Sequence, residues 1–437
     1  MTLPPGLLLG WLGDDFTGSA AVMEVLSFAG LPSLLFLDPP DAAQLAELSG
    51  IRAVGIATTA RTWSPERMRQ ELPGAFTLLR ETGAPLLHYK VCSTLDSAPG
   101  IGSIGAAAEI GTEGWASVLI AAPRMGRYQA FGSLFAEAMG QVHRLDRHPV
   151  MSRHPVTPMD EADVARHLAR QTTRPTGCIT LADDPEHALA RLREAGVSLV
   201  TLDAVDDAGM ARCGRLIWDH RAEAPFVIGS QGVEYALIEH WRSQGWLAPE
   251  VLPPSLGRDR LAVVSGSVSP VTAAQIAWAE ANGFAAIPFD ASTGGSDAEA
   301  KAVAQGLAAL DRGADPLIYS AKGPDDPAVA RFRARFGDDP TANEAVGTAL
   351  GRILDQLIRR AGLRRAVISG GDTSGYAARA LGVRALRALA PTIPGAAICA
   401  VQGGAHDGLQ LALKGGQMGS EDYFGWVRDG GGPRRTA

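Results

Sequence analysis

Short apolar runs alternate with amphipathic stretches through the first 230 residues. LLLGWL (7–12), PSLLFL (32–37), RAVGIAT (52–58), PLLHYKV (85–91) and SVLIAAP (117–123) read as strands buried on both faces. Between the first two, Val22, Val25, Leu26 and Ala29 recur at i, i+3, i+4 and i+7, and Gly30 follows, which predicts a helix and its stop. CITLA (178–182), VSLVTL (197–202) and PFVIGS (225–230) continue the rhythm. Strands alternating with helices predict an α/β fold, a mainly parallel sheet with helices on both faces.

The rhythm breaks at WLAPEVLPPSLGRDR (246–260), where three prolines fall in an aperiodic stretch. A domain boundary is expected there, with domains over 1–250 and 258–428. The second domain opens with LAVVSGS (261–267) and a helix starting at Pro270 and closing near Gly283. PLIYS (316–320) is its next strand. A long helix is predicted from Thr341, where Thr-Ala-Asn-Glu has capping-box form and Val346, Leu350, Ile353, Leu354 and Leu357 make one apolar face. Strand RAVISG (365–370) then runs straight into GDTSGYAARALG. Only the tail GGGPRRTA reads as disordered.

The length, 437 residues, suits two such domains. With 46% hydrophobic and 20% charged residues the chain reads as a soluble globular protein, and a net charge of −7 offers no field for nucleic acid or an anionic membrane. The opening apolar stretch has no positive flank and no cleavage site, and reads as a strand and not a signal peptide. Cys92, Cys178, Cys213 and Cys399 show neither metal nor disulfide spacing, so the cytoplasm is the expected compartment. Among 40 basic residues four are lysines, at 90, 301, 322 and 414. A retained lysine marks a place suited to a compact point charge, or survives by chance; Lys90 and Lys414 fall inside motifs.

In VVSGSVSP (263–270) and ISGGDTSG (368–375), small residues sit between a strand's carboxyl end and a helix. Free backbone N–H groups at such corners favour an anion such as phosphate, although glycine is common in α/β loops for purely structural reasons. A third glycine-rich stretch, LKGGQMG (413–419), carries a lysine. No Walker sequence and no GxGxxG is present, so neither a P-loop enzyme nor a nicotinamide dehydrogenase is supported. In the first half, polar groups cluster at strand ends: Asp14, Asp15 and Thr17; Thr59 and Arg61; and YKVCSTLDS (89–97). Open α/β sheets bind ligands at that edge. The bland account of GDDFTG (13–18) is one helix-capping acid and one solvated acid; the chemical account is a carboxylate that takes the proton of an attacking hydroxyl. GRYQAFGS (126–133) and RLDRHPVMSRHPVTPMDEAD (144–163) read as an ordered, proline-broken loop, from which Arg127 and His154 are candidate ligand contacts.

Taken in order, GDDFTG, YKVCSTLDS, HPVTPM, VVSGSVSP, ISGGDTSG and LKGGQMG resemble the four-carbon acid sugar kinase family over nearly the whole chain. The resemblance implies an N-terminal domain that binds an acid sugar, a C-terminal domain that binds ATP, and phosphoryl transfer in the cleft between them. It places Asp14, Asp15, Arg61 and the segment Lys90–Thr94, including Ser93, on the sugar-acid side. Ser267, Gly370, Gly371, Asp372, Thr373 and Gly416, with Gly415 beside it, fall on the nucleotide side. One departure matters. Where many members read D-S-T-L-R-G, this chain reads Cys92-Ser93-Thr94-Leu95-Asp96-Ser97, which reverses charge near the expected substrate. Arg127 or His154 is then expected to supply the positive partner.

The expected reaction is ATP- and Mg2+-dependent phosphorylation of a hydroxyl on a small, four-carbon or branched sugar acid or oxo acid. Asp15 and Lys90 are the catalytic candidates: the first as base or orienting group for the hydroxyl, the second against substrate or phosphoryl charge. Asp14, Thr17, Arg61, Ser93, Thr94, Arg127 and His154 are candidates for the sugar acid. Asp372 is either a magnesium ligand or a helix-start residue; no protein metal site is expected. An acid-sugar isomerase or dehydrogenase, or a non-catalytic sensor of ATP and sugar acid, stands as the alternative. The expected partners are the two small molecules, and the fold leaves room for a homodimer.

Overall fold

The computed structural model describes residues 2–46, 48–292, 295–337 and 339–434; the side chains of Ala42, Ala46, Pro340 and Asp372 also lie outside the described set. Two compact units divide the chain, Met1–Val251 and Leu252–Ala437.

The first unit contains β1 (Leu9–Gly13), β2 (Ser33–Phe36), β3 (Ala53–Ala57), β4 (Leu87–Lys90), β5 (Ala116–Leu119), β9 (Thr176–Ile179), β10 (Leu199–Leu202) and β11 (Phe226–Gly229). They form a parallel sheet in the order β2-β3-β1-β4-β11-β5-β10-β9. β1, β3, β4, β5, β10 and β11 are buried along their whole length, as a sheet covered on both faces requires. Phe16–Phe28, Gly232–Ser243 and Asp207–Asp219 pack as one group of helices, and Pro65–Glu81 and Ile104–Gly111 as another. Phe76 meets Tyr89 and Phe226 edge-on at 5.9 and 5.3 Å, fixing the second group to the sheet.

The segment expected as a proline-broken loop is in part a three-stranded antiparallel meander: β6 (Arg127–Ala130), β7 (Ser133–Ala138) and β8 (Gln141–Arg144). Two-residue turns join them. Phe131 (φ 49°) with Gly132 (φ 79°), and Met139 (φ 52°) with Gly140 (φ 73°), have the doubly left-handed geometry of type I′ turns. Asp203 fastens the meander to the main sheet: Oδ1 accepts from Gln129 Nε2 (3.1 Å) and Gly132 N (3.0 Å), Oδ2 from Leu181 N (3.2 Å).

The second unit contains β12 (Leu261–Ser265), β13 (Phe284–Pro288), β14 (Asp315–Tyr319), β15 (Arg365–Ser369), β16 (Ala385–Ala390), β17 (Ile398–Gln402) and β18 (Gln410–Lys414), in the order β13-β14-β12-β15-β18-β17-β16. Pairings from β13 to β18 are parallel, and β17 runs antiparallel to both β18 and β16. Its core gathers Leu261, Val263, Ile276, Leu317, Val367 and Phe424.

Two expectations are corrected here. The long helix is Pro340–Ala361, and its N-cap is Asp339, which accepts from Thr341 N at 2.9 Å and Thr341 Oγ1 at 2.7 Å; the Thr341 hydroxyl is spent on that cap and does not make its own. The tail is ordered through Arg434: Gly432 N donates to Pro391 O at 2.8 Å, and Arg434 pairs with Asp422 at 2.8 Å and lies 3.7 Å over the Trp426 ring. The proline-rich connector is also tied down, with Leu256 N donating to Gly430 O and Asp259 N to Arg428 O. Arg365, 1% exposed, clasps these ends. Its Nη1 donates to the carbonyls of Gly257 (2.9 Å), Val427 (3.2 Å) and Arg428 (2.7 Å), and its Nε and Nη2 to Gln410 Oε1.

Candidate functional site

In the first unit the carboxyl ends of β1, β3 and β4 are stitched crosswise. Asp14 N donates to Lys90 O at 2.9 Å, Thr58 N to Gly13 O at 3.0 Å and Arg61 N to Asp14 O at 2.9 Å. GDDFTG is thereby locked at the edge where α/β sheets bind ligands. Asp15 caps helix Phe16–Phe28: Oδ1 accepts from Gly18 N at 3.0 Å, and Oδ2 from Thr17 Oγ1 at 2.6 Å. The other acid is not solvated. Asp14 is buried and takes a two-pronged contact from Arg61, Nε to Oδ2 at 3.2 Å and Nη2 to Oδ1 at 2.7 Å, while the same Nη2 reaches Asp15 Oδ1 at 2.8 Å.

The two acids differ in access, and their surroundings push their carboxyls in opposite directions. Burial pushes the Asp14 carboxyl above its usual range, outweighing Arg61. Burial acts upward on Asp15 too, but Arg61, Lys90, Thr17 and Gly18 together outweigh it and hold this carboxyl below the usual range. The Asp15 side chain is 23% exposed against 3% for Asp14. Asp15 is therefore the ionised carboxylate that a solute can reach, and Asp14 the anchor behind it. Lys90 ends β4 in register with Gly13, is buried, and donates to Val91 O at 2.8 Å. A Cβ on Gly18 would fall 2.7 Å from Lys90 Nζ and 2.3 Å from Asp15 Oδ1, so both charges converge where the absent side chain leaves room.

Beyond Lys90 a tight turn closes with Leu95 N on Cys92 O, and buried Leu95 has φ 56°. Cys92 Sγ lies 3.0 Å from Thr94 Oγ1, which donates to Asp96 Oδ1 at 2.8 Å. Burial, then Asp96, pushes the Cys92 thiol up to about 11, so it is a neutral thiol at physiological pH. Ser93 lies half-buried in the same turn. Arg127 interacts electrostatically with Cys92 and Asp96; its Nη1 is held by Met125 O (3.0 Å) and Gly126 O (3.1 Å), and its buried Nε has no partner among the described residues. Asp14, Asp15, Thr17, Arg61 and Lys90 thus form one cluster, extended through Cys92, Thr94 and Asp96 toward Arg127. His154 stands apart, its Nδ1 accepting from Thr157 N and facing Thr157 Oγ1 within its own turn.

Sequence reasoning passed over a buried pair beneath this cluster. His88 Nδ1 lies 2.7 Å from Glu234 Oε1 and His88 Nε2 3.1 Å from Gly229 O. The signal was a polar residue two positions before Lys90, hence on the same strand face, within an otherwise apolar run.

In the second unit three strand ends build a cradle. Gly370, after β15, has φ 125°, open to glycine but not to other residues, and a Cβ there would lie 2.9 Å from Thr373 Oγ1 and 3.3 Å from Ser267 N. Gly371 opens helix Gly371–Ala380 and is exposed, with nothing within 4 Å of a virtual Cβ. The Asp372 side chain lies outside the described residues. From β12, Ser267 Oγ accepts from Thr272 Oγ1 at 3.0 Å, and Thr272 Oγ1 also contacts Gly416 O at 2.9 Å. From β18, Lys414 Nζ reaches Thr272 Oγ1 at 3.3 Å and Gly415 O at 2.9 Å. Lys414 is fully buried, and burial pulls its pKa down to about 8. Ser267, Gly370, Thr373, Gly415 and Gly416 are thus brought together. Thr272, the hub of this network, was missed, although Ser269-x-x-Thr272 at a helix start hints at it. Among the described residues no group of three His, Cys, Asp or Glu side chains could hold a metal ion, and no helix is long and apolar enough to cross a membrane.

A sugar-binding N-terminal domain matches residues 9–237 and a nucleotide-binding C-terminal domain residues 262–424. The chain is 44% identical to the 3-oxo-isoapionate kinase of Paraburkholderia graminis, over 98% of this chain and 95% of that one. It is 33% identical to the 3-oxo-tetronate kinase of Pseudomonas fluorescens, over 96% of each. Among solved structures, one from Salmonella typhimurium LT2 superposes with a TM-score of 0.78 at 26% identity, covering 96% of this chain and 98% of the other. A Haemophilus influenzae protein gives 0.73 at 24% identity, covering 96% and 99%, and shares the fold. An acid-lined sheet edge in the sugar-binding unit and a glycine cradle in the nucleotide-binding unit accord with these matches, and the chain belongs to the four-carbon acid sugar kinase family, whose members are phosphotransferases acting on sugar acids.

Proposed function

We propose that this kinase transfers the γ-phosphoryl group of MgATP to a hydroxyl of a small 3-oxo sugar acid, with a branched, 3-oxo-isoapionate-type acid as the first candidate and a 3-oxo-tetronate as the second. The observation that carries this reading is the convergence of an ionised carboxylate, Asp15, with Arg61 and Lys90 at one sheet edge. Such an edge can hold an anionic polyol and orient one of its hydroxyls at once.

Asp15 accepts a hydrogen bond from the attacking hydroxyl and receives its proton as the new O–P bond forms and the bond from the γ-phosphorus to the β,γ-bridging oxygen breaks, releasing ADP. Lys90 balances charge building on the transferred group, and Arg61, anchored by Asp14, keeps Asp15 ionised and in place. Thr17, Ser93 and Thr94 supply neutral hydrogen bonds to the sugar acid, and Arg127, whose Nε is unspent, meets its carboxylate. His154 contributes through the loop that carries it. Ser267, Gly370, Gly371, Thr373, Gly415 and Gly416 cradle the phosphates, with Asp372 beside them; magnesium bound to the nucleotide would supply neutralising charge there. The enzyme works in the cytoplasm, alone or as a homodimer.

A coupled ADP-release assay over 3-oxo-isoapionate, 3-oxo-tetronate, threonate and erythronate tests the proposal. The branched oxo acid is expected to give the highest kcat/KM. Higher turnover of an unoxidised tetronate would refute the substrate choice, and ATP binding without turnover of any acid would restore the sensor reading.

A further inference from the structure

The turn that carries Ser93 and Thr94 is held in shape from outside itself. Buried Leu95 adopts φ 56°, a conformation that a branched side chain keeps only where its neighbours enforce it. Ser97 Oγ supplies one restraint by donating to Leu95 O at 3.0 Å. The same hydroxyl lies 2.9 Å from His167 Nε2, 70 positions further along the chain. Gln171 Nε2 completes a triangle, 3.0 Å from Ser97 Oγ and 2.9 Å from His167 Nε2. Ser97 and His167 are both buried.

The helix that presents His167, Val164–Ala169, starts on the meander: Val164 N donates to Gly132 O at 3.0 Å, and Leu134 N to Ala162 O at 2.8 Å. Arg127 opens that meander and pairs with Ala136 of β7. His167 therefore stands between the turn with Ser93 and Thr94 and the strand with Arg127. Its protonation follows from its neighbours. Gly105 N donates to Gln171 Oε1 at 3.4 Å, which leaves the Gln171 NH2 group for Ser97 and His167. An amide nitrogen only donates, so His167 Nε2 is the acceptor and Nδ1 carries the proton. Burial, with Arg170 adding to it against Asp160 and Glu161, pulls the His167 pKa down to about 4, and the ring is neutral at pH 7 as an acceptor must be.

We infer that His167 is a positioning residue for sugar-acid binding: as a hydrogen-bond acceptor it latches Ser97 and Gln171, and so sets the turn bearing Ser93 and Thr94 against the strand bearing Arg127. This rests on the proposed use of that turn and of Arg127 for the sugar acid. Asp15 and Lys90 do not depend on the latch, because Arg61 and the pairing of β1 with β4 hold them. The latch therefore governs the grip on the acid and not the chemical step. A turn that is in place in about a tenth of molecules weakens apparent affinity about tenfold, with the bound complex reacting as before.

The test uses full-length His167→Leu, His167→Gln and Ser97→Ala, each checked by circular dichroism, with kinetics on the oxo acid that wild type phosphorylates best. His167→Leu, which deletes the acceptor, is expected to raise KM for the acid about tenfold or more, with kcat within about threefold and KM for ATP within about twofold of wild type. His167→Gln, whose Oε1 can stand where Nε2 stood, is expected to bring KM for the acid back to within about threefold of wild type. Ser97→Ala should raise the same KM, and adding it to His167→Leu should raise it no further, because both act through one contact. An unaltered KM for the acid in His167→Leu, an equal rise in KM for ATP, or a His167→Gln variant as impaired as His167→Leu would overturn the assignment. Nitrogen-15 NMR of histidine-labelled wild type at pH 7, with the His167 signals identified by their loss in His167→Gln, gives an independent reading: Nε2 is expected without a proton, and a protonated Nε2 would overturn the latch. Should His167→Leu fail to fold, Ser97→Ala decides, a normal KM for the acid there counting against the proposal. Wild type that phosphorylates none of the acids would instead overturn the sugar-acid reading on which the proposal rests.

Discussion

A buried lysine whose pKa sits near 8 should make nucleotide affinity depend on pH in a calculable way. Lys414 is fully buried, and its Nζ contacts only Thr272 Oγ1 and Gly415 O among the described residues. A polyphosphate arriving in the cradle favours the charged ammonium and restores its pKa to about 10. At pH 8.5 the free enzyme then carries about a quarter of a proton on Lys414 and the complex nearly a whole one, so binding takes up about 0.7 proton. By the same linkage, affinity falls close to tenfold, about 1.4 kcal/mol, from pH 7 to pH 9. The free protein shows the complementary effect. A lysine with a depressed folded pKa destabilises the fold below pH 8, and that penalty, on the order of 3 kcal/mol, lifts as pH rises toward the unfolded value of about 10.4. The assay is calorimetric titration with a non-hydrolysable ATP analogue and Mg2+, in two buffers of different ionisation enthalpy, on wild type and Lys414→Met. Wild type should take up the proton and Lys414→Met should not. Equal uptake in both, or none in wild type, would refute the placement of this lysine against phosphate.

Asp15→Asn, with fold confirmed, should lower kcat by a factor on the order of 10² to 10⁴, and Lys90→Ala should cost comparably; near-normal turnover in both would remove them from the chemistry. Gly18→Ala drives a methyl into the contact zone of Lys90 Nζ and Asp15 Oδ1, and should lower kcat at least tenfold while denaturation shows the protein still folded. Arg61→Met strands the buried Asp14 carboxyl and should destabilise the first unit by about 3 kcal/mol in urea unfolding; adding Asp14→Asn should recover part of the loss. Asp15 has a depressed folded pKa, so its ionisation stabilises the fold above the unfolded value of about 3.9 and ceases to as pH falls through the folded one. The stability gap between wild type and Asp15→Asn should accordingly close in acid, as read by urea midpoints across pH.

The β/α rhythm was legible because parallel strands covered on both faces are continuous apolar runs, which LLLGWL and LAVVSGS display without ambiguity. The meander was not. β6 to β8 are short and half-polar, and their turns place Phe131 and Met139 at positive φ where Asn or Asp would have announced a type I′ turn. The cap at Asp339 was hidden by a better-looking pattern two residues on, and the tail by a composition that is usually loose in isolation but here finds Trp426 and Asp422. In the acid corner, the residue types were readable and their roles were not. Arg61 lies 47 positions from Asp14 in the chain, and only the pairing of β1 with β3 brings it alongside. That pairing decides which acid is anchored and which is offered to solute.

Arg365 has a bearing on how the second half of the molecule could be produced alone. Its guanidinium gathers carbonyls from the connector and from the last helix, so the smallest self-sufficient fragment extends beyond the matched nucleotide-binding segment at both ends. A fragment cut at residue 262 would strip Gly257 from that cation, whereas one starting at Leu252 and running through Arg434 would carry its own fastening.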